Sequence, residues 1–229
     1  MKKTLPSRLK KLGHKFLVLI GLRAKKKKSP DLGENDQEFQ SLHQTIKEKT
    51  LVTKDRCFAI YQWAKLARSQ PGEIAEVGVY KGGTGKIIAT VCPEKKVHLF
   101  DTFAGMPETD QTIDYHQRGE FADTSLSAVQ EFFKGCDNVV FHPGLFPETG
   151  ADVTRSQFCL VHVDVDIYNS VKECLSFFYD RLVPGGIMIF DDYEWKDTPG
   201  VKKAIDEFLA DKKEIPIVSA LYQCMIIKI

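Results

Sequence analysis

Short apolar runs alternate with helical patterns over most of the chain. From residue 73 onward, runs rich in β-branched and aromatic residues are separated by stretches whose apolar residues recur at helical spacing. Seven of these runs predict strands, at residues 73–79, 96–101, 139–142, 159–165, 186–190, 215–220 and 223–228. Such alternation predicts an α/β fold with a doubly wound, mostly parallel, seven-stranded sheet. Because the last two runs lie too close together for a connecting helix, we expect an antiparallel last strand.

Two helices are predicted before the sheet, at residues 38–49 and 54–69. We expect them to cover the sheet, which defines a domain of residues 38–229 with a helical cover at 38–70 and an α/β core at 71–229. The length of 229 residues allows one such domain with a short N-terminal extension, and no second domain of similar size.

The first 37 residues have a different character. Apolar residues recur at helical spacing within residues 5–20, and Lys and Arg fill the positions between them, a pattern typical of a basic amphipathic helix. Residues 29–37 contain a proline and a glycine and predict a linker. We therefore treat residues 1–37 as a separate segment. Its residues 2–28 are expected either to contact an anionic membrane surface peripherally or an acidic partner, or to form a solvated tail.

The distribution of charge and the cysteine pattern limit the partners and the cellular location that the protein can have. Residues 1–28 hold eleven of the 32 Lys and Arg and no acid, so the rest of the chain carries a net charge of −10. An acidic body argues against nucleic acid as a partner. The six cysteines are scattered without metal-ligand spacing, and no apolar run approaches the ~20 residues of a membrane-spanning helix. These features predict a cytoplasmic protein, at the inner face of the membrane if its N-terminal segment binds lipid.

A glycine-rich loop follows the first predicted strand. It reads Glu76-Val-Gly78-Val-Tyr-Lys-Gly82-Gly83-Thr84-Gly85. Such a loop lets a ligand approach the backbone closely where a helix begins, yet it lacks the spacing of a P-loop or a dinucleotide fingerprint. Asp101 ends the second predicted strand, where a carboxylate can accept hydrogen bonds from ribose hydroxyls. The combination favours an adenosine cofactor without a pyrophosphate, S-adenosylmethionine, and leaves NAD as the alternative.

Acidic residues follow the fourth and fifth predicted strands. Asp164 and Asp166 share one side of the fourth strand by its period of two, and Asp191 and Asp192 end the fifth. Four carboxylates at one sheet edge repel each other unless a cation or a proton joins them, and Mg²⁺ prefers oxygen ligands. The alternative is that some of these acids only cap helices. His162 lies inside an apolar run, which predicts a packed, hydrogen-bonded imidazole rather than a metal ligand.

These segments together resemble the macrocin O-methyltransferase family over about residues 51–229. The matching motifs, in chain order, are 76–83, 100–107 (Phe-Asp-Thr-Phe-Ala-Gly-Met-Pro), 144–149, 162–168 and 191–193. The resemblance implies a class I methyltransferase that uses S-adenosylmethionine and a divalent metal to methylate sugar hydroxyls.

The resemblance also implies roles for individual residues. Asp164, Asp191 and Asp192 match the metal ligands, and Asp166 matches the general base. Asp164 and Asp166 are therefore the predicted catalytic residues. The predicted cofactor-binding residues are Glu76, Gly78, Gly82, Gly83, Thr84, Asp101, Thr102, Gly144, Phe146 and Asp164.

The predicted function is metal-dependent transfer of a methyl group to a hydroxyl of a small-molecule glycoside or a glycan. In this hypothesis a divalent cation lowers the pKa of the hydroxyl while Asp166 removes its proton. His142 and His116 are alternative bases, and a catechol-type acceptor or a non-catalytic cofactor scaffold are alternative functions. The aperiodic stretch 104–124 predicts a lid over the acceptor. The sequence leaves the oligomeric state open.

Overall fold

One seven-stranded sheet forms the centre of the protein. The computed structural model describes residues 32–229, so the predicted N-terminal amphipathic helix lies outside the described residues. The strands are β1 (Glu73–Val77), β2 (Val97–Asp101), β3 (Val139–Pro143), β4 (Phe158–Val163), β5 (Leu182–Phe190), β6 (Ile217–Val218) and β7 (Cys224–Ile227). Their order in the sheet is β3-β2-β1-β4-β5-β7-β6.

The strand directions confirm the predicted fold class. Strands β1 to β5 pair in parallel. The last strand, β7, runs antiparallel to both β5 and β6. The chain builds the sheet outward from β1 to β3 on one side and from β4 to β5 on the other. The order therefore reverses between β1 and β4, where open α/β sheets bind ligands beyond the carboxyl ends of the strands.

Helices cover both faces of the sheet. They are α1 (Gln37–Ile46), α2 (Lys54–Ala67), α3 (Gly83–Val91), α4 (Leu126–Phe132), α5 (Tyr168–Phe178) and α6 (Pro199–Leu209), with short 3₁₀ turns at Glu148–Val153 and Tyr179–Arg181. Helices α1 to α4 contribute to one apolar cluster, and α5 and α6 contribute to a second on the opposite face. The strands between the two clusters are buried on both sides, which explains their almost continuous apolar runs.

The predicted helical cover consists of α1 and α2. Asp36 caps α1 by accepting a hydrogen bond from the Phe39 amide at 3.0 Å. In α2 the buried residues Cys57, Ile60, Tyr61, Ala64 and Ala67 recur at helical spacing. Packing of this stripe against the core holds the first turn of α2 close to the carboxyl ends of β4 and β5, because that turn and the residues after those strands line the same cavity.

Several element boundaries differ from the predictions. Strand β1 ends at Val77 and β4 at Val163, each two residues before the predicted end. After each of these strands the chain turns. Gly78, directly after β1, has a φ of +88°, and Asp166, shortly after β4, has a φ of +59°. The predicted strand at 215–220 reduces to Ile217–Val218. Among the described residues, no helix is both long and apolar enough to cross a membrane, and all six cysteines are free thiols.

Candidate active site

A cavity of about 320 Å³ lies at the carboxyl ends of the parallel strands. Nine of the predicted site residues line it: Gly78, Thr84, Asp101, Thr102, Gly144, Phe146, Asp164, Asp166 and Asp192. Four others do not line it: Glu76, Gly82, Gly83 and Asp191. The structure therefore brings the loop after β1, the end of β2 and the acidic residues after β4 and β5 around one space.

Asp101 is fixed against the glycine-rich loop. Its carboxylate accepts backbone hydrogen bonds from Val79 at 2.7 Å, Tyr80 at 2.8 Å and Phe103 at 2.6 Å. Hydrogen bonds from backbone amides to an ionised carboxylate are among the strong ones in proteins. They hold the loop to the end of β2 and leave the acid on the cavity wall.

Gly78 allows the loop to meet the acidic residues after β4. A Cβ at this position would lie 1.9 Å from the carbonyl oxygen of Asp164. The positive φ of Gly78 is a second reason for glycine, because other residues rarely adopt that conformation. Close contact between these two backbones places the predicted cofactor loop directly beside the predicted metal ligands.

Gly82 and Gly83 serve packing away from the cavity. A Cβ at Gly82 would lie 2.6 Å from the ring of Phe133, and one at Gly83 would lie 2.7 Å from Thr50. The Gly83 amide also donates to the carbonyl of Lys49 at 2.9 Å. These glycines join the start of α3 to α4 and to the segment between α1 and α2, and their predicted contact with the cofactor stays a prediction.

Three carboxylates converge at the cavity. Oxygen atoms of Asp164, Asp166 and Asp192 all lie within 4.8 Å of one another. Strand alternation does not bring Asp164 and Asp166 together as predicted, because β4 has already ended and Asp166 has a left-handed backbone. Asp192 is left-handed as well, with a φ of +63°. Such conformations cost on the order of 1–3 kcal/mol each and persist where the surroundings enforce them, often at functional sites.

Asp191 lies outside this group of three carboxylates. Its Oδ1 accepts a hydrogen bond from the side-chain amide Nε2 of Gln223 at 2.5 Å, and its Oδ2 lies 3.5 Å from Nε2 of His162. The other ring nitrogen of His162 lies 2.9 Å from Oε1 of Glu76. Glu76, His162 and Asp191 thus form a row of three ionisable side chains, and all three are fully buried. The prediction of a packed, hydrogen-bonded His162 is confirmed, and Glu76 contacts that imidazole rather than the cavity.

The converging carboxylates hold protons more tightly than usual. Burial raises the pKa of Asp164 well above its ordinary value, and the charges of Asp191, Asp166 and Asp192 add to the effect. Burial and then Asp192 raise the pKa of Asp166 to about 7. Burial also raises the pKa of Asp192, with Asp191 adding to the shift and Arg56 opposing it. The group is short of positive charge.

Beside this group, His162 and Asp191 favour their charged forms. Burial alone lowers the pKa of His162, but Asp191 and Glu76 outweigh it and raise the pKa to about 10. Burial raises the pKa of Asp191, yet His162, Arg56 and Gln223 outweigh burial and lower it. An imidazolium between two carboxylates thus ties β4 to β1 and to the end of β5.

Arg56 is a site residue that the sequence interpretation missed. It lies in the first turn of α2, where its Nη1 is 2.8 Å from Oδ1 of Asp192 and 3.8 Å from Oδ1 of Asp191. A cation in the first turn of a helix opposes the helix dipole, and this was a signal that Arg56 has a partner elsewhere. The sequence does not reveal that the partner is 136 positions away.

The predicted lid has neither helix nor strand between β2 and α4. It is anchored near its carboxyl end, where the hydroxyl of Tyr80 donates to Asp123 at 2.8 Å, and at its middle, where buried Asp114 accepts from the backbone amide of Tyr168 at 2.9 Å. Of the two alternative bases, His116 in this segment lines the cavity. His142 instead pairs with another core histidine at 2.9 Å and does not line the cavity.

The residues present suit a divalent metal ion. The converging atoms are all carboxylate oxygens, the ligands that Mg²⁺ prefers. A cation would also offset the mutual repulsion that, after burial, raises the pKa of Asp164.

The fold and the glycine loop with its strand-end acid define a class I methyltransferase. Two solved structures show the same fold: the O-methyltransferase NovP (TM-score 0.69, 24% identity, 79% of this chain and 82% of that chain) and CalS11, a calicheamicin methyltransferase (TM-score 0.65, 19% identity, 90% and 96%).

The chain belongs to the Macrocin-O-methyltransferase (TylF) family, whose sequence model matches residues 25–223. It is similar to mycinamicin III 3''-O-methyltransferase of Micromonospora griseorubida, with 29% identity over 76% of this chain and 74% of that protein. It is also similar to demethyldecarbamoylnovobiocin O-methyltransferase of Streptomyces niveus, with 28% identity over 63% and 61%. The protein is therefore an S-adenosylmethionine-dependent O-methyltransferase, and the NAD alternative is set aside.

Proposed function

We propose that this enzyme methylates a sugar hydroxyl of a glycosylated small molecule and that it needs a divalent metal, Mg²⁺ first. The observation that carries the proposal is the cluster of Asp164, Asp166 and Asp192 within 4.8 Å, beside the cavity that also contains Asp101. When bound, S-adenosylmethionine supplies an electrophilic methyl group, and a divalent cation supplies the charge that makes a hydroxyl more acidic.

The protein's own residues would divide the work. Asp101 would hold the ribose hydroxyls of the cofactor, and the loop at Gly78 would admit its methionine part. Asp164 and Asp192 of the cluster would hold the metal. Asp191, the third predicted ligand, is held by Gln223 and His162 and does not line the cavity. Asp166 would accept the proton of the acceptor hydroxyl at a carboxylate oxygen while the acceptor oxygen takes the methyl group, whose bond to the cofactor sulfur breaks and leaves a neutral thioether.

The names of the relatives and the cavity mouth support a glycoside as the acceptor. Two relatives are named for mycinamicin III and demethyldecarbamoylnovobiocin. In this protein Leu51, Leu145 and Trp195 line the cavity and are 66%, 46% and 37% exposed. Apolar side chains at the mouth would pack against an apolar part of the acceptor next to its sugar.

The test is methyl transfer from isotope-labelled S-adenosylmethionine to a panel of glycosides, followed by mass spectrometry. We expect Asp166→Asn to lower kcat by about 10²- to 10⁴-fold with little change in cofactor binding, and Asp137→Asn, at an exposed position, to match the wild type. Chelation of divalent metal should abolish turnover. Full activity in Asp166→Asn would refute the base, and full activity after chelation would refute the metal.

The basic segment supports a location for the reaction. Residues 2–28 would contact an anionic membrane surface. The enzyme would then work in the cytoplasm at the inner face of the membrane, on a lipid-linked glycan or glycoside. Co-sedimentation of the full chain and of residues 30–229 with anionic vesicles tests this contact. Equal binding by the two proteins would remove it.

A further inference from the structure

Arg56 already contributes positive charge to the predicted metal site. Its guanidinium lies 2.8 Å from Asp192 and 3.8 Å from Asp191, and the side chains of Arg56 and Asp192 are each 14% exposed. The hydrogen bond runs from Nη1 to Oδ1 of Asp192. This is a mostly buried, charge-assisted contact to a carboxylate of the converging group, and not an ion pair on the surface.

A divalent ion and Arg56 would share the same carboxylate. Mg²⁺ binds carboxylate oxygens at about 2.0–2.1 Å, so an ion on Asp192 would stand a few ångströms from the guanidinium. Two positive charges at such a separation repel, and a mostly buried pair is screened little by solvent. The metal and the arginine therefore stabilise the same group of acids, and each weakens the hold of the other.

We propose that Arg56 is a resident counter-cation that competes with the divalent metal for Asp192 and so sets the metal affinity of the site. The inference rests on the proposed metal dependence. Without metal, the guanidinium offsets part of the charge of the converging carboxylates and keeps Asp192 in place. When metal binds, it releases Asp192 from the arginine.

Arg56 also lines the cavity, so the competition for Asp192 involves a residue of the cavity wall. Arg56 belongs to the first turn of α2, and Leu51 and Val52, which precede that helix, line the same cavity. Occupancy of the metal site is thereby linked to a side chain of the helical cover, where the acceptor would enter. Arg56 acts through Asp192, so it is a positioning residue.

The experiment is calorimetric titration of Mg²⁺ alone into the metal-free protein, for wild type, Arg56→Gln and Arg56→Lys. The matched control is Arg68→Gln at the other end of α2, where the arginine pairs with Glu94 at 2.9 Å and is 56% exposed. We expect Arg56→Gln to bind Mg²⁺ roughly 5- to 100-fold more tightly, the usual range for coupled sites. Arg56→Lys, which keeps the charge without the planar fork, should fall between, and Arg68→Gln should match the wild type.

Thermal unfolding gives a second readout. Without metal, Arg56→Gln should melt below the wild type, and saturating Mg²⁺ should raise its midpoint by more than it raises that of the wild type. Metal affinity at or below the wild-type value in both Arg56 variants would overturn the competition while leaving the metal-dependent function intact. Absence of Mg²⁺ binding in every protein, wild type included, would overturn both.

Discussion

Replacement of Gly78 by alanine tests how closely the cofactor loop must approach the catalytic acids. The new Cβ would lie 1.9 Å from the Asp164 carbonyl oxygen and 2.7 Å from its carbon, and the backbone φ is +88°. Neither contact is with a flexible side chain, so the loop or the segment after β4 must move.

Two effects add up in this variant. A non-glycine residue with a left-handed backbone costs about 1–2 kcal/mol. Overpacking of a well-packed site costs about 1–3 kcal/mol more. The free energy of unfolding should therefore fall by about 2–5 kcal/mol, a decrease of roughly 4–20 °C in Tm for a domain of this size.

The chain offers a matched control at Gly135. Its φ is +82°, and no described heavy atom lies within 4 Å of a Cβ built there, so Gly135→Ala has the backbone strain without the clash. Urea unfolding of the two variants should give a loss of about 1–2 kcal/mol for Gly135→Ala and a larger loss for Gly78→Ala. Calorimetric titration with S-adenosylmethionine should show weakened binding only for Gly78→Ala. Equal losses of stability and unchanged cofactor affinity would refute the close approach.

Two further variants test buried histidines. His162→Gln should lower the free energy of unfolding by about 3–5 kcal/mol, because it leaves Glu76 and Asp191 buried without their cation; a loss below about 1 kcal/mol in urea unfolding would contradict the buried ion pairs. Burial lowers the pKa of His98 and His142 from 6.5, so their contribution to stability is complete above that pH and is lost as the pH falls below it. Tm measured from pH 8 to pH 5 should therefore fall less steeply in His142→Gln, and an unchanged slope would count against this assignment.

Much of the fold follows from local patterns. Strands β1 to β5 were found within a few residues of the predicted positions. Burial on both faces makes β1, β2, β4 and much of β5 nearly continuous apolar runs, whereas β3 at the sheet edge is only partly buried. The antiparallel β7 followed from the short gap after the preceding run. Among the boundaries that failed are the carboxyl ends of β1 and β4, where positive φ angles at Gly78 and Asp166 redirect the chain. Apolar periodicity carries no information about such turns.

The sequence predicted which acidic residues meet in the candidate site, but not the contacts that each of them makes. Acids after parallel strands had to meet at one sheet edge, which placed Asp164, Asp166 and Asp192 together. The separate engagement of Asp191 by His162 and Gln223 was not predictable. These partners come from three strands or strand ends, and only the sheet order makes them neighbours.

The sequence by itself determined the class of the protein: a doubly wound sheet, a glycine-rich loop, a ribose-type acid at Asp101 and an excess of carboxylates at the strand ends. Only the tertiary structure decided how those carboxylates are balanced. Arg56 meets Asp192 because the buried stripe of α2 packs on the sheet and places the first turn of the helix at the cavity. Secondary structure depends on patterns a few residues long, whereas the electrostatics of a buried site depends on whichever charges the packing of distant segments brings within a few ångströms.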